Sequence, residues 1–446
     1  MIQIPDLLIR DGTCAITPAS APMKLEKIDL LLSAGRIVEI GSGLSPTPGC
    51  KVIDARGLHV LPGAIDSQVH FREPGLTHKE DLESGTRAAV LGGVTAVFEM
   101  PNTKPPTASR AAFEHKVALA AKKAWCDYAF FVGATANNLA ELAQLEVLPG
   151  CCGVKIFMGS STGDLLVAED GPLLNVLRSG KRRVAVHCED EERLRARYAI
   201  AQNSGQVMDH INWRDEETAL RATQRIVKLA REANRPIHIL HVTTRQELEF
   251  LTRNKDIATV ECTPQHLTLQ APDCYQRLGT FAQMNPPIRT AEHREALWRA
   301  VADGTIDVIG SDHAPHTREE KSLPYPQSPS GMTGVQTLLP VMLDHVSKGR
   351  LNLLRLVNLI STHPATIYGQ TNRGSIAPGR DASLTVVDLN LERIIDDSWI
   401  ASKSQWTPFH GRKVRGWPKM TIIGGRMVMC EDQVIGHPQG RAVHFT

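Results

Sequence analysis

Four residues that can bind a metal or move a proton occur along the middle of this sequence, each directly after a short apolar run. His70 follows AIDSQV, His187 follows VAV, His241 follows IHIL and Asp312 follows DVIGS. Neutral imidazole nitrogens and a carboxylate oxygen are ligands that zinc prefers in proteins. Asp312 could also act as general base toward a metal-bound water, whose pKa the metal lowers to about 7. The set therefore predicts a metal-dependent hydrolase.

A lysine within an apolar run is a fifth candidate ligand. Lys155 lies in GVKIF, where burial of an unpaired ammonium group would be unfavourable. Carbamylation by carbon dioxide would make it an anionic ligand that bridges two metals. A buried salt bridge with a barrel carboxylate is the structural alternative, and Asp164 is the other candidate for a bridging oxygen ligand.

Four further polar residues are candidates for binding the substrate. Arg72 shares a strand face with His70, because side chains alternate along a strand with period two. Its guanidinium fork suits a carboxylate, and a surface salt bridge is the alternative. Asn102 in MPNTKPP and Asn285 in MNPPIR are amides beside prolines, suited to a ring amide or carboxylate, although either alone could be an ordinary turn residue. His316 lies in a loop from which it could reach a substrate.

These side chains need a scaffold that brings strand ends together. Between residues 61 and 368, short apolar segments alternate with amphipathic helical patterns, which predicts βα units and a parallel sheet. The predicted strands are 64–70, 94–100, 128–133, 153–158, 183–187, 237–242, 258–263 and 307–311, and the predicted helices include 81–91, 110–122, 216–233 and 293–302. Nearly every strand ends in a polar residue, and TIM-barrel active sites lie at the C-terminal strand ends. Since no G-x-G-x-x-G follows the first of these strands, a closed barrel is favoured over a Rossmann sheet.

The two ends of the chain have a different pattern. Short strand-like segments separated by Gly- and Pro-containing turns fill the first sixty and last seventy residues, and Gly424-Gly425 is a tight hairpin signal. We therefore predict an α/β fold: a (β/α)8 TIM barrel over 58–371 and a small, sandwich-like β domain built from 1–57 together with 372–446.

Composition excludes several other classes of protein. The chain has 446 residues, 42% hydrophobic and 22% charged, as is ordinary for a globular enzyme. A net charge of +2 gives no reason to expect nucleic acid as a partner. Nine cysteines without regular spacing predict reduced thiols. With neither a signal-peptide pattern nor an apolar run of membrane-spanning length, we expect a cytoplasmic protein.

Several segments resemble the dihydroorotase family. QVHFREPGLTHKEDLESGTRAAVLGGVTAVFEMPNTKPPT is similar to the first part of that family, and MNPPIR and SDHAPHTREEK are similar to later parts. THPATIYG followed by GSIAPGRDASLTVVD resembles the C-terminal signature of the wider amidohydrolase superfamily, so that the likeness runs over about 54–388. The resemblance implies a (β/α)8 barrel and reversible hydrolysis of dihydroorotate to N-carbamoyl-aspartate in pyrimidine synthesis.

The resemblance also implies roles for individual residues. The metal ligands would be His70, Lys155, His187, His241 and Asp312, with Asp312 also the catalytic base. The substrate-binding residues would be Arg72, Asn102, Asn285, His316, Ser330 and Gly331. Lys155 corresponds to the lysine that is carbamylated in several branches of the family, whereas other dihydroorotases have an aspartate there. A homo-oligomer is implied, with association with aspartate transcarbamoylase as a further possibility.

One position departs from the family pattern. Gln68 stands where the family has the first histidine of H-x-H, and an amide oxygen is a weaker zinc ligand than imidazole. We therefore expect one Zn²⁺ on Lys155, His187 and His241 and leave the second ion, shared by His70 and Asp312, open. Three functions remain: a dihydroorotase, a hydantoinase or allantoinase with the same ring-amide chemistry, and a catalytically silent dihydroorotase-like subunit.

Overall fold

The computed structural model describes residues 6–160 and 165–445, so the alternative ligand Asp164 lies outside the described residues. The strands, in chain order, are β1 (Leu7–Ile16), β2 (Lys24–Ser33), β3 (Arg36–Gly41), β4 (Lys51–Asp54), β5 (His59–Pro62), β6 (Ala64–Val69), β7 (Val94–Glu99), β8 (Asp127–Gly133), β9 (Cys151–Phe157), β10 (Val184–His187), β11 (Ile237–Ile239), β12 (Ala258–Cys262), β13 (Val308–Ile309), β14 (Leu384–Ile394), β15 (Lys413–Ile423), β16 (Arg426–Cys430) and β17 (Gln433–Val434).

The α-helices are α1 (Leu82–Leu91), α2 (Arg110–Lys123), α3 (Leu142–Leu145), α4 (Asp170–Arg178), α5 (Glu191–Ser204), α6 (His210–Trp213), α7 (Glu216–Ala233), α8 (Arg245–Thr252), α9 (Pro264–Thr268), α10 (Asp273–Leu278), α11 (Ala291–Asp303), α12 (Arg318–Lys321), α13 (Leu338–Ser347), α14 (Leu353–Val357) and α15 (His363–Ile367). Helix α7 has the predicted bounds. The Asp215 side chain caps its first turn by accepting from the Thr218 N–H, and Asn234 ends it in the left-handed conformation at φ 51°.

Strands β6 to β13 form one sheet in which each strand pairs with the next, and every pair is parallel. The two edges of this sheet meet. Val69 forms a parallel bridge with His313, and the His70 N–H donates to the His313 carbonyl at 2.7 Å. The sheet is therefore the closed (β/α)8 barrel that the alternating pattern predicted, and the C-terminal ends of its strands surround one face.

A second, mixed sheet joins the two ends of the chain. Its order is β17-β16-β15-β14-β5-β1-β2-β3, with β4 beside β1. The halves join where β14 pairs with β5, Leu384 opposite Pro62. Gly424 and Gly425 form the predicted hairpin turn at φ 53° and 75°, as a type I′ turn requires. The small β domain is thus confirmed; β5 belongs to its sheet although it lies beyond residue 57, and the exact domain boundaries stay a prediction.

Two further observations bear on the sequence analysis. All nine cysteines lie in the described part of the chain and are free thiols. No helix within 6–160 or 165–445 combines the length and apolar character needed to cross a membrane.

Candidate active site

The predicted metal ligands line one cavity at the C-terminal ends of the barrel strands. His70 follows β6, Lys155 lies near the end of β9, His187 ends β10, and His241 and Asp312 follow β11 and β13. The residues that line the cavity are Gln68, His70, Lys155, Phe157, His187, His241, Asn285, Asp312, Ala314, Ser330 and Gly331. Residues from seven places in the sequence therefore meet because a closed barrel brings its strand ends together.

One half of the cavity is formed by His70 and Asp312. The Nδ1 atom of His70 lies 2.7 Å from Oδ1 of Asn102, and its Nε2 atom lies 3.2 Å from Oδ1 of Asp312. Burial lowers the pKa of His70, which favours the neutral ring with one N–H. If Nδ1–H donates to the Asn102 oxygen, the lone pair of Nε2 faces the Asp312 carboxylate. Two electron-rich atoms at this distance suit a cation between them.

Gln68 also belongs to this half. Its Nε2 donates to Oδ1 of Asp312 at 3.0 Å, while its own Oε1 is buried and has no hydrogen-bond partner among the residues that the structure describes. The Gln68 amide nitrogen therefore occupies one carboxylate oxygen of Asp312. The Gln68 amide oxygen remains as one electron-rich atom on the cavity side. This arrangement bears on the open question of the second metal, since the oxygen is a weaker donor than an imidazole nitrogen.

The other half of the cavity is formed by two histidines and the lysine. Nδ1 of His187 lies 3.1 Å from Nε2 of His241. Lys155 Nζ and His241 Nδ1 are buried and have no hydrogen-bond partner among the described residues. Burial lowers the pKa of Lys155 to about 7 and also lowers the pKa of both histidines. No ion pair joins Lys155 to a described carboxylate, so the salt-bridge alternative is not what this structure contains.

The candidate ligands fit a divalent metal by their chemistry, although they do not form a preformed metal cluster. Within the described ranges, no three His, Cys, Asp or Glu side chains converge as a preformed metal cluster, and the candidate ligands contact one another in pairs. The chemistry of the donors nevertheless fits. Neutral imidazoles, one carboxylate and a buried amine without a partner line the same cavity, and such nitrogen and oxygen donors bind zinc and similar ions in their deprotonated forms.

Three of the candidate residues have strained backbones. Arg72, His241 and Asp312 adopt positive φ angles of 63°, 38° and 45°. Residues other than glycine seldom adopt such angles, and those that do cluster at functional sites, where the surrounding structure maintains them. The strained backbone therefore indicates that these three strand ends serve a function and not the stability of the fold.

The predicted substrate-binding residues fall into two groups. Asn285, Ser330 and Gly331 line the cavity. Asn102 contacts His70 and is not itself among the residues that line the cavity. Buried Arg72 lies behind His316: its Nε donates to the Pro315 carbonyl at 3.2 Å, and its second terminal nitrogen lies 3.4 Å from His316 Nε2. The same His316 atom is 3.1 Å from the Ser330 carbonyl. Asn102 and His316 are thus one contact removed from the cavity, Arg72 is two contacts removed, and the roles of all three stay predictions.

The sequence analysis missed a buried carboxylate that positions one candidate ligand. Glu189 is fully buried; its Oε2 accepts from His187 Nε2 at 2.9 Å and from the Arg214 guanidinium. Burial alone would raise the pKa of Glu189, but Arg214 and His187 hold it at about 2. Since the carboxylate fixes the proton on Nε2, the lone pair of His187 Nδ1 faces the cavity. The signal was present in VAVHCED, where Glu189 lies two residues beyond the strand-ending histidine.

Comparisons with known proteins show the family to which the chain belongs. The amidohydrolase family model matches residues 59–428. A dihydroorotase from Halobacterium salinarum is 38% identical over 91% of this chain and 94% of that protein, and one from Methanosarcina acetivorans is 35% identical over 93% and 91%. Among solved structures, an L-hydantoinase (dihydropyrimidinase) from Arthrobacter aurescens has a TM-score of 0.92 at 29% identity and covers 98% of this chain and 99% of its own.

The chain therefore belongs to the amidohydrolase family, whose members generally use a divalent metal. Within that family it groups with the dihydroorotases over nearly its whole length, and it is a hydrolase that acts on cyclic amides, with a small molecule as its substrate.

Proposed function

We propose that this chain is a dihydroorotase, which reversibly hydrolyses the ring amide of (S)-dihydroorotate to N-carbamoyl-L-aspartate in pyrimidine synthesis. The observation that carries the proposal is one cavity, at the catalytic end of a barrel, lined by three histidines, a buried lysine and Asp312. The dihydroorotases similar to this chain at 34–38% identity support the same substrate.

The proposal includes one Zn²⁺ held by Lys155, His187 and His241, with a second ion near His70 and Asp312 left open by Gln68. When bound, the metal supplies a Lewis acid that acidifies water and polarises the ring carbonyl. Lys155 Nζ supports a carbamate, because it is a buried amine with no hydrogen-bond partner in the described part of the chain. Addition of carbon dioxide to the neutral amine releases one proton and leaves an anionic ligand in place of an unpaired nitrogen.

In the proposed mechanism, the protein residues orient the substrate and move a proton. Arg72 binds the substrate carboxylate through its fork, and Asn285 orients the ring amide from the cavity wall. Asp312 accepts a proton from the attacking water while the oxygen of that water bonds to the carbonyl carbon. Asp312 then gives that proton to the ring nitrogen as the carbon–nitrogen bond breaks.

The arginine provides a test of substrate orientation. Arg72→Lys keeps the positive charge but loses the planar fork, so we expect the Michaelis constant to rise by about tenfold or more, because one good charge-assisted contact is lost. Steady-state kinetics with dihydroorotate measures the change, and Arg221→Lys on the exposed face of α7 is the matched control. A Michaelis constant that stays normal in Arg72→Lys removes this residue from the substrate site.

The test of the function combines metal content with turnover on one purified sample. We expect dihydroorotate turnover to vanish on chelation and to return when zinc is restored. The number of metal ions per chain then shows whether Gln68 prevents binding of the second ion. Hydantoin and allantoin are assayed beside dihydroorotate, since the hydantoinases of known structure share the fold. Bound metal with turnover of hydantoin or allantoin alone would contradict the choice of substrate.

A silent dihydroorotase-like subunit is the second candidate, and Gln68 is the observation that favours it. Neither bound metal nor turnover in the same experiment would make it the leading function. The expected homo-oligomer, association with aspartate transcarbamoylase and cytoplasmic location also belong to the proposal. Light scattering of the purified chain, alone and mixed with aspartate transcarbamoylase, tests the two assemblies.

A further inference from the structure

A second cleft lies at the end of the barrel opposite the candidate active site, between the barrel and the terminal sheet. Asp127, the first residue of β8, and Arg426, the first residue of β16, both line it, whereas the active-site cavity lies beyond the other ends of the barrel strands. Its volume of about 320 Å³ is within the range of small-molecule sites. We call it the basal cleft and define it by Arg36, Asp127, Gln370, Arg373, Arg426 and Arg441.

The charges of the basal cleft favour an anion. Four arginines line it against two aspartates. Asp127 is already occupied, because its carboxylate accepts from the Arg373 guanidinium and from the Arg441 N–H. Asp381 lies 3.7 Å from Arg373 and accepts from the Ser383 hydroxyl. The remaining guanidinium groups therefore give the cleft an excess of positive charge.

Three buried polar atoms in the cleft have no hydrogen-bond partner in the described part of the chain. The Gln370 side chain is 5% exposed, and neither its amide nitrogen nor its amide oxygen is hydrogen-bonded within the described residues. One terminal nitrogen of Arg373 is likewise buried without a partner. An unpaired buried amide is unfavourable, and an amide with both atoms open can pair with a donor and an acceptor side by side.

We propose that the basal cleft binds a small organic anion that carries an amide or ring-imide edge. The anionic oxygens contact Arg373 and Arg426, and the amide edge pairs with both open atoms of Gln370. Each unpaired group on the cleft wall then has a partner, and the excess charge is balanced. The site is separate from the hydrolase chemistry, so its test is independent of the proposed function.

The test is calorimetric titration of the full chain with succinamate and with 4-methylpentanoate, which has the same charge and shape but no amide. We expect succinamate to bind about tenfold more tightly, because it alone pairs with Gln370. Gln370→Leu should abolish that preference, and Arg426→Gln should weaken both ligands. Gln202→Leu and Arg221→Gln, at exposed positions on α5 and α7, are the matched controls.

Each outcome of the titration decides the question. Loss of the preference in Gln370→Leu but not in Gln202→Leu, with normal dihydroorotate turnover in both, supports the site. Absence of binding, equal affinities for the two ligands in the wild type, or succinamate binding that is unchanged in Gln370→Leu and Arg426→Gln overturns it.

Discussion

The Glu146–Arg235 pair and the Lys155–His241 region are both buried ionisable clusters of the same barrel, but their hydrogen bonds differ. Arg235 donates to the Arg182 and Ser179 carbonyls and to Glu146, which also accepts from the N–H groups of residues 181 and 182. This pair joins the segments before β10 and β11, at the N-terminal end of the barrel. At the other end, Lys155 Nζ and His241 Nδ1 have no hydrogen-bond partner in the described part of the chain, and Nζ lies 4.3 Å from the centre of the Phe157 ring.

The difference separates a cluster that holds the fold together from one that is shaped for a ligand. A buried charge without a partner is unfavourable, so a protein that needs only stability would pair it, as Arg235 is paired. The Lys155–His241 region instead keeps open donors and has the positive φ of His241 beside them. Changes at the first cluster should therefore alter stability, and changes at the second should alter metal binding and turnover.

The largest effect is expected at the candidate base. Asp312→Asn keeps the shape of the side chain but cannot accept a proton, so we expect turnover to fall by about 10² to 10⁴-fold. The free energy of unfolding should change little. Turnover per bound metal and denaturant unfolding measure the two quantities, with the exposed Asp256→Asn as control. Turnover within a few-fold of the wild type would show that another group accepts the proton.

The complementary change is made in the paired cluster. Arg235→Met leaves the Glu146 carboxylate buried without its cation, so we expect the free energy of unfolding to fall by about 3–5 kcal/mol. Turnover of the folded fraction should be unchanged, because the pair lies at the other end of the barrel. Denaturant unfolding measures the loss, and Arg178→Met, in an exposed pair with Glu232, is the control. Adding Glu146→Leu removes the unpaired charge but also the acceptor of two N–H groups, so it should restore part of the lost stability. A double variant as unstable as Arg235→Met would contradict the argument.

Glu189 tests the link between the two behaviours, since its Oε2 is paired both with Arg214 and with a candidate ligand, His187. Glu189→Gln keeps an oxygen for His187 Nε2–H but removes the charge, so we expect metal affinity to fall by about 10- to 100-fold. Competition against a chelator of known affinity measures it. Glu192→Gln, exposed on α5, should bind metal normally. Unchanged affinity in Glu189→Gln would assign Glu189 to folding alone.

The sequence predicted the parts of this site that depend on local pattern. Apolar runs that end in His70, His187 and Asp312 predicted both the barrel strands and their functional ends, because strand period and burial are properties of neighbouring residues. The bounds of α7 followed from its amphipathic pattern in the same way, and the structure shows cap residues at both of its ends. The apolar run around Lys155 likewise predicted a buried amine that could become a ligand, and the family likeness agreed with that prediction.

Other parts of the site could not be predicted, because they depend on residues far apart in sequence. Arg214 reaches Glu189 only after α5 and α6 have folded back onto the barrel, and nothing in HCED indicates a guanidinium 25 positions away. Similarly, the sequence suggested Arg72 as a free fork at a strand end, but its second terminal nitrogen lies against His316. Long-range contacts of this kind follow from closure of the barrel and not from local propensity.

The smallest expected effect is at Gln68, and it is the most direct test of how the open atoms of the cavity are used. Gln68→His replaces a buried amide, whose oxygen has no partner, with an imidazole beside His70 and Asp312. Because imidazole is the better zinc ligand, we expect the metal content to rise from about one toward two ions per chain. Turnover should change by only a few-fold, since Asp312 and the ligands on β9 to β11 are unaltered.

Metal analysis after zinc loading measures the stoichiometry, with Gln202→His on exposed α5 as the control. A stoichiometry unchanged from the wild type would mean that Gln68 does not limit the second ion, and that the open atoms of this cavity suit a single metal and the substrate.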